Sequence, residues 1–218
     1  MNRLSLLCIC GVLCASPLFA RMGDTVSSLE SRLIADRFAV QLKGDMASNL
    51  ISRGPLRIFL DLAQDLESAF DYVVYMKSAN GERLSTTDAK SGKVPDGWTY
   101  TAMLLRGVVV AETYERKSGS SSKGMNPHEK KGLLLVNQST FAWEELQNMT
   151  RPSGERLQGL TQYNFYRSDE KVFAKFDRNH ATFIRKELDE QLREKRSVRN
   201  AEIDSENRDA LQLSISGF

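Results

Sequence analysis

The sequence predicts an α+β fold: two helix-plus-antiparallel-strand units, about residues 22–116 and 125–184, followed by a charged C-terminal helix. Three observations carry that expectation. "WTYTAMLL", Arg106-Gly107 and "VVVAETYERK" form the pattern of two strands around a tight turn. "TQYNFYR", "KVFAKF" and "ATFI" repeat the same chemistry further on, separated by "SDE" and "DRNH", both suited to hairpin loops. Each group of strands also follows a segment with helical periodicity and its own start signal.

Residues 1–20 have the three parts of a secretory signal: Arg3, the twelve-residue apolar run "LSLLCICGVLCA", and "PLFA" ending in small Ala20. The run is shorter than the roughly 18 residues of a membrane span. The cysteines follow Leu7, Ile9 and Leu13, which disfavours lipidation. Cleavage after Ala20 predicts a mature chain of 198 residues without cysteine, hence without disulfides, thiolate metal sites or Cys nucleophiles. That chain carries 29 basic and 28 acidic residues. Such balance gives no footprint for nucleic acid or anionic lipid. The expected location is periplasmic or secreted, with no transmembrane segment in the mature chain. The sequons at Asn137 and Asn148 read as chance matches.

In "TVSSLESRLIAD", Val26, Leu29, Leu33 and Ile34 recur at helical spacing, and Ser27 with Glu30 predicts a capping box. "RFAVQLKG" suits a short strand, while "DMASNLISRG" carries no clear signal before Gly54-Pro55. From Leu56 an apolar stripe predicts a helix to about Phe70, with Pro55 at its start. Tyr72–Lys77 then reads as a strand, one continuous helix through Met76 being the alternative. Asn80-Gly81 opens a long polar loop, and "SGSSSKG" is a connector without the ending of a phosphate-binding loop. "NPHEKKGLLLVN" predicts a helix capped by Asn126, with Pro127 at its first position, Glu129 completing the box, and an apolar side of Leu133, Leu134 and Val136.

The final segment, residues 185–218, predicts a charged helix and a flexible or extended tail. "RKELDEQLREKRSVRN" pairs Arg185 with Asp189 and Asp189 with Arg193 at four-residue spacing. Its thin apolar line, Ile184, Leu188, Leu192 and Val198, suits a surface or partner-seeking helix. "LQLSISGF" ends in Phe like an outer-membrane barrel signal, but as a strand it would set Phe218 opposite Leu211, Leu213 and Ile215.

The stretch "ARMGDTVSSLESR" resembles the start of a group of small, uncharacterised secreted bacterial proteins, matched by Arg21, Gly23, Thr25, Glu30 and Arg32. In that group a strand pair around a Gly turn follows, similar to "MLLRGVVVAETYERK". A helix like "NPHEKKGLLLVN", a Trp segment like "FAWEEL" and closing strands like "NFYRSDEKVFAKF" complete the order over most of residues 21–184. The resemblance implies export and names no activity. The helix-then-strands order also looks like α+β modules of outer-membrane assembly and β-lactamase inhibition, an analogy of fold alone.

Candidate chemistry is sparse. His128 and His180 are the two histidines, and neither belongs to a ligand motif. His180 lies near Asp177 in a predicted hairpin loop, so His128, His180 and Asp177 are the weak candidates for acid/base work. Asp61, Asp65 and Glu67 read as the polar face of a helix, and no serine sits in a Gly-x-Ser-x-Gly elbow. Trp98, Tyr100 and Tyr114, with Tyr163, Phe165, Phe173, Phe176 and Phe183, read as strand core. No catalytic, metal or cofactor site is expected. The function expected is a non-catalytic binding or structural module of the bacterial envelope or extracellular space. Its partner would be another envelope or secreted protein, held by the C-terminal helix and tail. A secreted hydrolase of envelope or extracellular polymer is the alternative.

Overall fold

Period-two alternation and two tight turns build one eight-stranded antiparallel sheet in the computed structural model, which describes residues 22–35, 39–53, 70–80, 82, 84–85, 87–88, 96–118, 124–146 and 163–215. The leader, the helix expected from Leu56 and the connector around residues 119–123 lie outside the described residues. In chain order come α1 (Val26–Ala35), β1 (Ala39–Leu42), α2 (Asp45–Arg53), β2 (Phe70–Ser78), β3 (Asp96–Leu105) and β4 (Val108–Ser118). The second half holds α3 (Pro127–Val136), β5 (Trp143–Glu145), β6 (Phe165–Arg167), β7 (Val172–Phe176), β8 (His180–Arg185) and α4 (Lys186–Ile215). The fold is α+β, as the sequence predicts.

The strand order β1-β2-β3-β4-β8-β7-β6-β5 is two meanders laid side by side. Their last strands, β4 and β8, pair from Ala111↔Ile184 to Glu115↔His180 and make the sheet continuous. β2 is a strand throughout, because Val73 and Val74 beside Tyr72 and Tyr75 favour a pleated surface over a helix. The β3–β4 turn has positive φ at both central residues, 52° at Arg106 and 74° at Gly107. That geometry matches the twist of the paired strands. Asn126, Pro127 and Glu129 cap α3 with both halves of the box formed, as expected. Leu133 and Leu134 pack on the sheet.

The start of α1 differs from expectation. Thr25 rather than Ser27 caps it, its Oγ1 accepting from the Ser28 amide at 3.3 Å. Tertiary pairing fixes this position. Gly23 N donates to Val109 O at 3.0 Å, Val109 N donates to Asp24 O at 2.9 Å, and Thr25 bridges Val108. Gly23 carries φ 94°, a conformation that glycine adopts without a Cβ penalty.

Helices cover both faces. On one, Leu29 of α1 and the leucines of α3 meet Tyr75, Tyr100, Tyr114 and Phe183. These rings form a contact row across the sheet, with centroids 6.3 Å apart for Tyr75–Tyr100, 5.0 Å for Tyr100–Tyr114 and 5.9 Å for Tyr114–Phe183. Within it, fully buried Glu112 accepts hydrogen bonds from Tyr100 at 2.8 Å and Tyr114 at 3.0 Å. On the other face Ile51 of α2 packs near Leu42, Val74 and Met76. Leu188 and Leu192 of α4 pack there too, against Met103, Phe173 and Ile184.

Candidate functional site

Helix α4 contains thirty residues and is about 45 Å long at 1.5 Å per residue. The sequence places a surface helix over 185–200 and a non-helical tail after it; the helix instead begins at Lys186 and continues through Ile215. Residues 201–215 contain no Gly or Pro to stop it. Once the first turns are fixed, each added residue costs little.

Those first turns form a root in the core. Leu188 and Leu192 are buried, a correction to the expectation of a helix outside the core. The reason lies across the chain: Phe173, Ile184 and Tyr166 leave an apolar hollow on the sheet that receives both leucines. Buried Asp189 accepts from the Tyr163 hydroxyl. Its Oδ2 lies 2.7 Å from Arg193 Nε, an ion contact made off the line of the N–H bond. Tyr163 in turn stacks on Phe173 with centroids 5.2 Å apart. The Asp189–Arg193 pair is thus formed as the spacing predicts. Arg185 instead ends β8 with its guanidinium beside Gly23, and Lys186–Glu190 supplies the other ion pair of the root at 3.9 Å.

Beyond the root the helix is largely exposed. From Glu194 to Ala210 every residue is exposed except half-buried Arg196, and Val198 and Ile203 are 53% and 45% exposed. Among the described residues, no ion pair engages any charged side chain between Glu194 and Asp209. Lys195 and Arg199 are four apart, as are Glu202 and Glu206, and these one-turn neighbours repel; Asp204 and Arg208 are also four apart, and there Arg208 Nε donates to the Asp204 backbone carbonyl at 3.2 Å.

The histidine candidates are not brought together into a site with Asp177. His128 is exposed in the first turn of α3. The His180 side chain turns to Glu115, directly opposite on β4, with Nε2 3.5 Å from Oε1. Asp177 instead faces Lys175 at 3.4 Å. Lys117 also donates to Glu115. Burial acts to raise the Glu115 carboxyl, but the hydrogen bonds and charges of His180 and Lys117 outweigh it and hold the carboxyl below its ordinary range. This is an ion cluster on the sheet. A cleft of about 390 Å³ lies elsewhere, lined by Lys130, Glu145, Leu146, Asn164, Phe165 and Phe176, with Tyr163 at its edge. Among the described residues no three His, Cys, Asp or Glu side chains gather as metal ligands, and no helix is long and apolar enough to cross a membrane.

The Glu115 cluster has a testable consequence. A carboxyl with a lowered folded pKa stabilises the fold above its unfolded value of 4.5, and that contribution disappears as pH falls through the lowered value. Wild type should melt roughly 1–3 °C above Glu115→Gln near neutral pH, and the gap should narrow progressively as pH falls below 4.5. A gap independent of pH in a calorimetric series contradicts the assignment.

No protein-family model, curated protein or solved structure matches the chain. The functional reading therefore rests on the geometry of α4.

Proposed function

We propose that this protein is an exported, non-catalytic binding module that engages a protein partner through the solvent-facing part of α4, in the periplasm or outside the cell. The observation that carries the reading is a helix clamped at Leu188, Asp189 and Leu192 and then exposed from Glu194 to Ala210, except at half-buried Arg196. A helix that is polar all round is ordinarily stabilised by favourable pairs along it or by a partner. Between Glu194 and Asp209 no ion pair forms among the described residues, and like charges stand one turn apart at Lys195–Arg199 and Glu202–Glu206. The leader-like residues 1–20 and the resemblance around Gly23 and Thr25 support export. The alternative, a secreted hydrolase of polymer, has the His180–Glu115 contact in its favour, but Lys117 shares that carboxylate.

A chain ending at Glu194 keeps the whole root. It should retain the far-ultraviolet signature of the body, reduced only by the lost helix, while losing capture of its partner in a pull-down from envelope extract. Equal capture by the shortened and full-length chains refutes α4 as the binding element.

A further inference from the structure

The cleft of about 390 Å³ has a lining that neither the exposed length of α4 nor the Glu115 cluster uses. Lys130 precedes Leu133 and Leu134 by three and four residues, so it stands on the side of α3 that packs on the sheet. It is half-buried there, and among the described residues no acceptor meets its ammonium group. A cation withdrawn from water without a partner is unfavourable, and a bound anion relieves it. Phe165 of β6 and Phe176 of β7 line the same cleft, edge to face with centroids 5.6 Å apart. Phe176 also meets buried Phe183 edge-on at 5.9 Å, which fixes this apolar wall. Asn164, just before β6, accepts from the Phe176 amide through Oδ1. That bond orients the side-chain amide and leaves Nδ2 a donor with no acceptor among the described residues. Exposed Glu145 of β5, paired with Phe165, adds one negative charge to the lining.

We propose that this cleft binds a monocarboxylate with an aromatic body, its carboxylate held by Lys130 and Asn164 Nδ2 and its ring laid against Phe165 and Phe176. The volume lies within the range of small-molecule sites, roughly 300–1,000 Å³. The charge-assisted bond from the ammonium group orients the ligand, and contact with the two phenyl rings supplies apolar burial. Glu145 limits the charge the cleft accepts, because a second carboxylate on the ligand meets a like charge. A free aromatic acid and the last residue of a peptide ending in phenylalanine offer this same chemistry. The site goes beyond the reading of α4 and does not depend on it.

Titration of the mature chain with 3-phenylpropionate, followed by amide NMR shifts, tests this. The expected result is saturable shifts at residues 145–146, 164–165 and 176, none at 197–210, and a Kd below about 5 mM. K130Q should weaken binding at least tenfold with the remaining resonances in place, and K130R, which keeps the charge, should restore most of it. Two probes need no variant: 3-phenylpropanamide lacks the charge, butanoate lacks the ring, and each should bind at least tenfold more weakly than 3-phenylpropionate. The peptide acid acetyl-Gly-Phe separates the two sources. Tighter binding than 3-phenylpropionate assigns the cleft to a peptide end, weaker binding assigns it to a free acid, and either supports the site. A Kd above about 5 mM, shifts centred on other residues, or 3-phenylpropanamide bound as tightly as the acid overturns it. The reading of α4 rests on capture by residues 195–210, so the failure of one leaves the other standing.

Discussion

Glu112→Ala should lower the stability of the domain by about 4 kcal/mol, the largest effect expected of any single substitution described above. The carboxyl group is fully buried and receives both the Tyr100 and the Tyr114 hydroxyls. Removing it leaves two buried hydroxyls without that acceptor, each costing about 1–3 kcal/mol, and opens a void beneath α1 and α3. Against a total stability of about 5–15 kcal/mol, this is a large fraction. In urea, with a slope near 2 kcal/mol per molar, the midpoint should fall by roughly 2 M. Glu112→Gln keeps one acceptor oxygen and should lose about half as much. Tyr100→Phe and Tyr114→Phe share one acceptor, so their effects in the wild-type and Glu112→Gln backgrounds should be non-additive. A Glu112→Ala chain with an unchanged midpoint would show that the tyrosines do not depend on this carboxyl group.

The second large effect is positional. A chain ending at Arg185 should fail to fold cooperatively, whereas one ending at Glu194 should melt close to wild type. Between those ends lie Leu188 and Leu192, each worth about 2–5 kcal/mol of burial, and Asp189 on Tyr163. Losing all three together exceeds the margin of a stable domain. Residues 195–210 are exposed except for half-buried Arg196, so their loss changes the melting temperature little. Equal melting of both truncated chains would place the root outside the core.

These two effects differ in how far the sequence discloses them. In "VVVAETYERK" the alternation shows a strand, and Glu112 shares its parity with Tyr114. A glutamate on the inward face was thus readable, but its Tyr100 partner becomes visible only with the β3–β4 register. The root of α4 was harder to see. Two leucines four apart make a thin stripe, and the hollow that buries them is built from β6, β7 and β8. His180 carries the same lesson, since its neighbour in sequence is Asp177 and its neighbour in space is Glu115, on a strand 65 residues earlier.

Local signals were legible where no distant partner competes. The Arg106-Gly107 turn and the Asn126–Glu129 cap each depend on a few consecutive residues, and both form as expected. At α1, local chemistry favoured Ser27 with Glu30, but the bridge from Thr25 to Val108 selects an earlier start. The extent of α4 follows the same logic in reverse. Its tail reads as flexible or extended, yet a helix anchored at Leu188 and Leu192 propagates as far as Ile215.

The central claim, that α4 has a root belonging to the body and an exposed length that docks, is tested most directly by hydrogen exchange along this one helix. At about 10 µM, amides of residues 188–193 should exchange with the sheet, through global unfolding, while those of 197–210 exchange orders of magnitude faster. With a captured protein partner added in excess, only the 197–210 amides should slow, as mass action fills the exposed length. Uniform protection along α4 in the free chain, or slowing confined to the sheet when the partner is added, contradicts the account.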